Sequence, residues 1–517
     1  MNASLSPYAI LGIVAVYFAV LVLVAYLTSR RESENVDFFL AGRKSPWPLV
    51  AVGMVGSTLS GVTFISVPGA VGAGGVNQAF SYMQVVMGNM LGYLVIALVL
   101  LPLYYRMQLT SIYEYLHERI GWYGYKIGAF YFLLSRTIGS AFRLFLVAIV
   151  LQHFVADPIG IPFSITVATT IVLIWVYTFK GGIKTIIVTD TLQTVCMLLA
   201  AGFTVYYIGQ ALNTDLGGMT RLIRQSDYSQ WFYFDGGWSD PNNFFKQFLA
   251  GALITIVMTG LDQDLMQKNL SMPSYRDAQK NMLAFSVVLF FANILFLSLG
   301  ALLYIYSATV GLPATASSDL LYPTIALTHL PPVAGILFVL GIVAAAYSSA
   351  DSALTALTTS FCVDFLGMQD KATKPESGEG GGDAGAMSDK RQRLLVHSGF
   401  SMLLFAVIMA FRVINDQAVI NGLFTAAGYT YGPLLGLFAF GLLTNFRVRE
   451  TIIIGGTRVP ALLLVCILAP IVSILVDRNS AVLLGGFQFG FLILAFNGLL
   501  TFLGLIALSV ARSEEVL

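Results

Sequence analysis

Charge is what this chain has least of. Only 11% of its 517 residues are Asp, Glu, Lys or Arg, against about 25% in ordinary globular domains. The formal net charge of +1 excludes the strongly basic face of a nucleic-acid binder. Cysteine is scarce: Cys196, Cys362 and Cys466 all sit inside apolar segments with no metal-ligand spacing, and read as packing residues. No HExxH-type motif and no nucleophile–base set is present, so an enzyme is not expected. What is abundant is apolar: 57% of residues are hydrophobic and the mean hydropathy is +0.79. Apolar runs of roughly 20 residues recur from end to end, too long and unbroken for the strands of an outer-membrane barrel. The chain reads as an all-α membrane protein.

About thirteen transmembrane helices are expected. Tyr8 to Thr28 is long enough to span and is followed by Arg30 and Arg31, so it reads as a first span rather than a cleaved leader. Basic residues concentrate in alternate connections, among them Arg43 and Lys44, Arg106 and Arg119, Lys180 and Lys184, Lys268, Arg276 and Lys280, and Arg447 and Arg449. This bias places the N-terminus outside and the C-terminus in the cytoplasm. Residues 370–390 are Gly-rich and charged, and read as a flexible cytoplasmic linker. Residues 213–242 form an aromatic outer loop.

Five spans carry chemistry. In Gly341–Phe365, Ser348, Ser352, Thr355 and Thr359 share one helical face, with Asp351 one position off it. Hydrocarbon gives a carboxylate nothing to bond with, so Asp351 must face protein, water or a cation. A hydroxyl-rich packing seam explains the hydroxyls alone; with Asp351, a hard monovalent cation is the better reading. The second span clusters Gly53, Gly56, Ser57, Thr58, Ser60, Gly61 and Thr63 at mid-depth. That pattern fits either a helix broken there, with free carbonyls, or close packing on small residues. A second break is expected near Thr255 to Gly260, before Asp262 and Asp264. Two breaks five spans apart fit an inverted repeat. In the fourth span Arg136 and Arg143 lie seven apart on one face. Intramembrane arginines line a functional cavity or pair with a carboxylate, for which Asp190 is the obvious partner. The fork of an arginine suits a carboxylate, which biases the reading towards an anionic solute. Asp190 itself reads as a cation ligand, an arginine partner, or both in different states.

Four segments carry a resemblance: FFLAGR at 38–43, LTSIYEYLHERIG at 109–121, YTFKGGIKTIIVTDTLQ at 177–193 and AAAYSSADSALT at 344–355. Over about residues 8–510 the chain resembles the sodium/solute symporters. The resemblance implies a leucine-transporter-like fold of two inverted five-helix repeats, 47–212 and 243–445. An N-terminal additional helix would occupy 1–46, the outer loop 213–242, the linker 367–390, and two C-terminal helices 446–517. It implies a main sodium site of carbonyls from Gly56, Leu59 and Ala345 with the hydroxyls of Ser348 and Ser349. It implies a second sodium at Asp190, Ser348, Asp351 and Ser352, where Asp351 replaces the usual Ser or Thr. The implied solute pocket holds Thr58, Ser60, Thr63, Gln84, Arg136, Thr255 and Thr425, and the spacing of the arginines adds Arg143. Arg136 falls about where sialic-acid symporters place the arginine that holds the sugar's carboxylate. LTSIYEYLHERIG is more similar to the iodide, monocarboxylate and vitamin branch.

The function expected is import of a small, anionic organic solute by alternating access, coupled to one or two sodium ions. Sialic acid or another carboxylate or sugar acid is the leading class. The setting is a bacterial inner membrane, with lipid as the other partner, no nucleic acid, and a functional monomer. The alternatives are a neutral sugar, amino acid, vitamin or inorganic anion as solute, or a transporter-derived membrane sensor.

Overall fold

Lipid offers no partner for a backbone N–H or C=O, so apolar spans must close their hydrogen bonds internally as helices. The computed structural model describes residues 5–29, 40–313, 317–368, 382–414, 419–454 and 457–510. Arg30, Arg31, the first two residues of FFLAGR, the linker up to residue 381, and Arg512 lie outside the described residues.

The helices are α1 (Pro7–Ser29), α2 (Trp47–Thr58), α3 (Val62–Ala70), α4 (Tyr82–Arg106), α5 (Trp122–Leu151) and α6 (Phe163–Ala211). There follow α7 (Phe244–Thr255), α8 (Gln263–Leu270), α9 (Tyr275–Val310), α10 (Pro332–Ser360) and α11 (Gly382–Ile414). The last are α12 (Val419–Thr430), α13 (Gly432–Leu443), α14 (Ala461–Arg478) and α15 (Ile493–Ala507). The outer faces are as apolar as the inner ones. On α14, Leu464, Leu468, Ile471 and Leu475 are exposed at helical spacing, while Leu462, Cys466 and Ala469 are buried. A soluble helix would carry charge on that outward face.

Ten helices among the described residues are long and apolar enough to cross a membrane, or twelve if two bent pairs each count as one span. Phe163–Thr178 is a shorter apolar helix, in place of the thirteenth full span expected. It runs on into Ile183–Ala211 as part of the 49-residue α6. At 1.5 Å per residue α6 is about 74 Å long, over twice a bilayer core. Two boundaries differ from expectation. α11 begins at Gly382, inside the stretch read as linker. α14 begins only at Ala461, well inside the 446–517 stretch expected to hold two helices, because Ile452–Ile454 pairs antiparallel with Thr457–Val459 before the helix starts.

Both expected breaks are present. α2 ends at Leu59 (φ −73°, ψ 80°) and the chain resumes as α3, bent by 65°. α7 runs through a wide turn at Ile256–Gly260 and leaves helical geometry at Asp262 (φ −108°, ψ 120°). Asp262 then caps α8, its Oδ1 accepting the Asp264 N–H at 2.9 Å. The carbonyls freed in this second break find tyrosines: Tyr104 donates to Gly260 O at 2.9 Å and Tyr113 to Leu261 O at 3.0 Å.

α4 and α7 touch at their backbones. A Cβ on Gly88 would lie 2.0 Å from Phe248 O, and one on Gly251 would lie 2.2 Å from Val85 O. Gly88→Val should therefore force the pair apart and cost about 1–3 kcal/mol. Gly202→Ala on α6, where nothing lies within 4 Å, should be silent. Thermal unfolding in detergent checks the contrast, and equal midpoints for the two variants would refute the contact.

Candidate cation and solute site

The break between α2 and α3 faces α6 and α10. Gly53 and Gly56 make this approach possible. A Cβ on Gly56 would meet Thr194 Oγ1 at 2.4 Å, Asp190 O at 2.7 Å and Ser348 Oγ at 3.4 Å. Thr194 fastens the two helices by donating to Val52 O at 2.8 Å. The break thus brings Gly56 beside Asp190 and Ser348, three of the residues singled out from sequence. Neither the Gly56 nor the Leu59 carbonyl accepts a hydrogen bond among those the described residues form; the Ser60 N–H that would reach Gly56 O turns to Thr58 O at 2.9 Å instead. Free carbonyls with no donor nearby suit a hard cation.

Beside this break lies a buried charge network. Lys268 of α8 is 0% exposed and its Nζ lies 2.7 Å from Asp190 Oδ2. The same ammonium donates to Ser57 Oγ and lies 3.8 Å from Asp264 Oδ1. Arg136 of α5 is paired with Asp264 through Nη2, and its Nη1 lies 3.8 Å from Asp262 Oδ2. Tyr431 donates to Asp262 Oδ2 at 2.9 Å. The partner expected for an arginine, Asp190, is therefore taken by a lysine, and Arg136 has the α8 acids instead. Lys268, expected in a basic cytoplasmic loop, is drawn into the core by its pairing with Asp190.

The residues mapped onto a second sodium are each turned to another protein group. Asp190 accepts from Lys268, from Ser57 at 2.8 Å and from Ser348. Asp351 Oδ2 accepts from Tyr177 at 2.8 Å, and its Oδ1 accepts the Ser352 N–H. The Ser352 hydroxyl donates to Asp264. These four side chains are buried, and the carboxylate at their centre, Asp190, already holds the Lys268 ammonium.

A cavity opens on the other side of the α2 break. Thr58, Ser60, Thr63, Arg136, Arg143 and Thr255 line it, with Tyr82, Asn89, Asn293 and Phe424 completing the wall. The two arginines differ in what they can offer. Arg143 has no carboxylate partner among the described residues; its Nη1 donates to Ser349 Oγ at 3.3 Å, and its Nε is buried without a partner. Two expected pocket residues lie elsewhere. Gln84 is fully buried in an amide cluster, donating to Asn242 O at 2.9 Å and Gln247 Oε1 at 3.0 Å. Thr425 is exposed, on the face of α12 away from Leu423 and Phe424.

A model of the sodium:solute symporter family matches residues 38–378, more than half of the chain. The chain belongs to that family. Among its relatives is the sodium/sialic acid symporter SiaT of Proteus mirabilis strain HI4320, 25% identical, with the match covering 85% of each chain. A Na+-coupled sialic acid symporter solved in a substrate-bound, outward-open state superposes with a TM-score of 0.77 at 20% identity, covering 96% of this chain and 97% of that one. Mhp1, a nucleobase-cation-symport-1 family transporter solved in a closed conformation, superposes at 0.53 with 13% identity, covering 91% and 93%. The fold is the leucine-transporter-like one. The protein is accordingly a multi-pass, sodium-coupled symporter, not an enzyme.

The symporter's buried pairs supply a direct test. Arg136→Leu leaves Asp264 and Asp262 without their cation and should cost about 3–5 kcal/mol. Arg136→Leu with Asp264→Leu should recover part of that loss, since the orphaned charge is gone. A double-mutant cycle by thermal unfolding checks this; additive losses would mean the two residues are not coupled.

Proposed function

We propose that the symporter imports a small carboxylate-bearing solute, in the class of sialic acid and other sugar acids, and holds its anionic group on Arg143. The observation that carries this reading is the free guanidinium fork. Of the two arginines lining the cavity, Arg136 is committed to two carboxylates, whereas Arg143 meets only a serine hydroxyl. A half-buried cation without a carboxylate partner is costly unless an anion visits it. The sialic acid relative and the shared fold support the solute class.

In this reading sodium sits at the carbonyls of Gly56, Leu59 and Ala345 with the hydroxyls of Ser348 and Ser349. Arg143 then links the two ligands. Its contact with Ser349 holds a positive charge beside the sodium ligands while the cavity is empty. A solute carboxylate draws the fork to itself and adds a negative charge near the ion, so each ligand favours the other by Coulomb attraction. The coupling is reciprocal: sodium raises solute affinity by the factor by which solute raises sodium affinity. Thr58, Ser60, Thr63 and Thr255 supply hydroxyls for the rest of a polar solute. We place the carrier as a monomer in a bacterial inner membrane, N-terminus outside and C-terminus in the cytoplasm. The 47–212 and 243–445 repeats move against each other, joined by the 213–242 loop and flanked by 1–46 and 446–517.

Arg143→Lys keeps the charge and loses the fork, so solute binding should weaken about tenfold or more while sodium binding persists. Arg136→Lys should lower thermal stability with a smaller effect on affinity. Calorimetric titration of sialic acid, with monocarboxylates and neutral sugars as comparisons, checks both. Unchanged affinity in Arg143→Lys would remove the anion from this residue. A neutral sugar binding as tightly as its acid would overturn the solute class.

A further inference from the structure

We infer that Lys268 is a built-in cation that takes the place of a second sodium ion, making this carrier a single-sodium symporter. Its ammonium lies where an ion bound by Asp190 would have to sit. Nζ is 2.7 Å from Asp190 Oδ2, donates to Ser57 Oγ, and lies 3.8 Å from Asp264 Oδ1. An ammonium carries the same single charge as sodium and uses the same oxygen partners. The other candidate ligands are drawn into the same protein network: Ser348 donates to Asp190, Ser352 donates to Asp264, and Asp351 accepts from Tyr177 and from the Ser352 N–H.

The pairing agrees: buried Asp190 and Asp264 already face Lys268 and Arg136. A second sodium beside Asp190 would stand against a lysine whose other carboxylate, Asp264, lies farther off at 3.8 Å. The lysine is tethered to α8, next to the break in α7, so it delivers its charge to Asp190 at no cost in ion concentration.

The experiment counts sodium rather than transport. Purified carrier is dialysed to equilibrium against radioactive sodium, and bound ions per protein are measured. Wild type should hold one ion, weakened at least about tenfold by Ser349→Ala and little affected by Asp190→Asn. Lys268→Ala uncovers Asp190 and should bind two. The added ion should survive Ser349→Ala and vanish with Asp190→Asn, whereas Lys268→Arg should stay at one. Wild type binding two ions, or equal counts in wild type and Lys268→Ala, overturns the inference. So does a wild-type ion that is lost with Asp190→Asn and kept in Ser349→Ala, an outcome that also moves the main sodium site. The wild-type count and Lys268→Arg keep the test decisive should Lys268→Ala fail to fold. The gain on Lys268→Ala is a difference, and decides the inference wherever the first ion binds.

Discussion

A lysine sealed from water and lipid must touch a carboxylate, and that requirement fixes the centre of this molecule. At an effective dielectric constant of about 20, a unit pair 4 Å apart gains about 4 kcal/mol, and breaking a buried pair costs about 3–5 kcal/mol. α8 brings Asp264 and Lys268 one turn apart, with Asp262 at its cap. The lysine reaches Asp190 on α6, and the acids reach Arg136 on α5, Tyr431 ahead of α13 and Ser352 on α10. An eight-residue helix is thereby held against four others, although on its own it would be too short to be stable.

Much of this was legible from residue types at unusual depth. Gly and hydroxyl residues in the middle of a span announced the α2 break, and the Thr255–Gly260 stretch announced its counterpart in α7. The stripe from Ser348 to Thr359 stood out because oxygen is expensive in a membrane. Lys268 was hidden for the opposite reason. Its surroundings, DQDLMQKNLSMPS, are polar enough to pass for a loop, and only the tertiary pairing with Asp190 draws them inside. The clue available was an Asp264–Lys268 spacing of four. The partner of Arg136 was equally out of reach, since a sequence offers several acids and no distances. Thr425 failed on helical phase: it follows Phe424 by one residue, and that single step turns it out of the cavity.

The two breaks look alike in sequence and are unlike in chemistry. Around Gly260 and Leu261, tyrosine hydroxyls occupy the carbonyls that the helix gave up. Around Gly56 and Leu59, no donor among the described residues does. The α7 break is a finished piece of architecture that aims α8. The α2 break leaves lone pairs unsatisfied at mid-depth, which a folded membrane protein tolerates only where something polar arrives. Arg143 extends the same logic, holding a charge in reserve at the edge of the cavity.

The glycine contact between α4 and α7 has a kinematic consequence. Where one backbone rests in the notch of another, neither helix can slip along its neighbour by a fraction of a turn, because the next residue brings a side chain into the notch. α4 and α7 lie on either side of the 213–242 stretch, so the two segments are keyed together there like a shaft and its collar. Any rotation that exposes the cavity to one side of the membrane must carry both helices as one piece, and must find its slack at other seams.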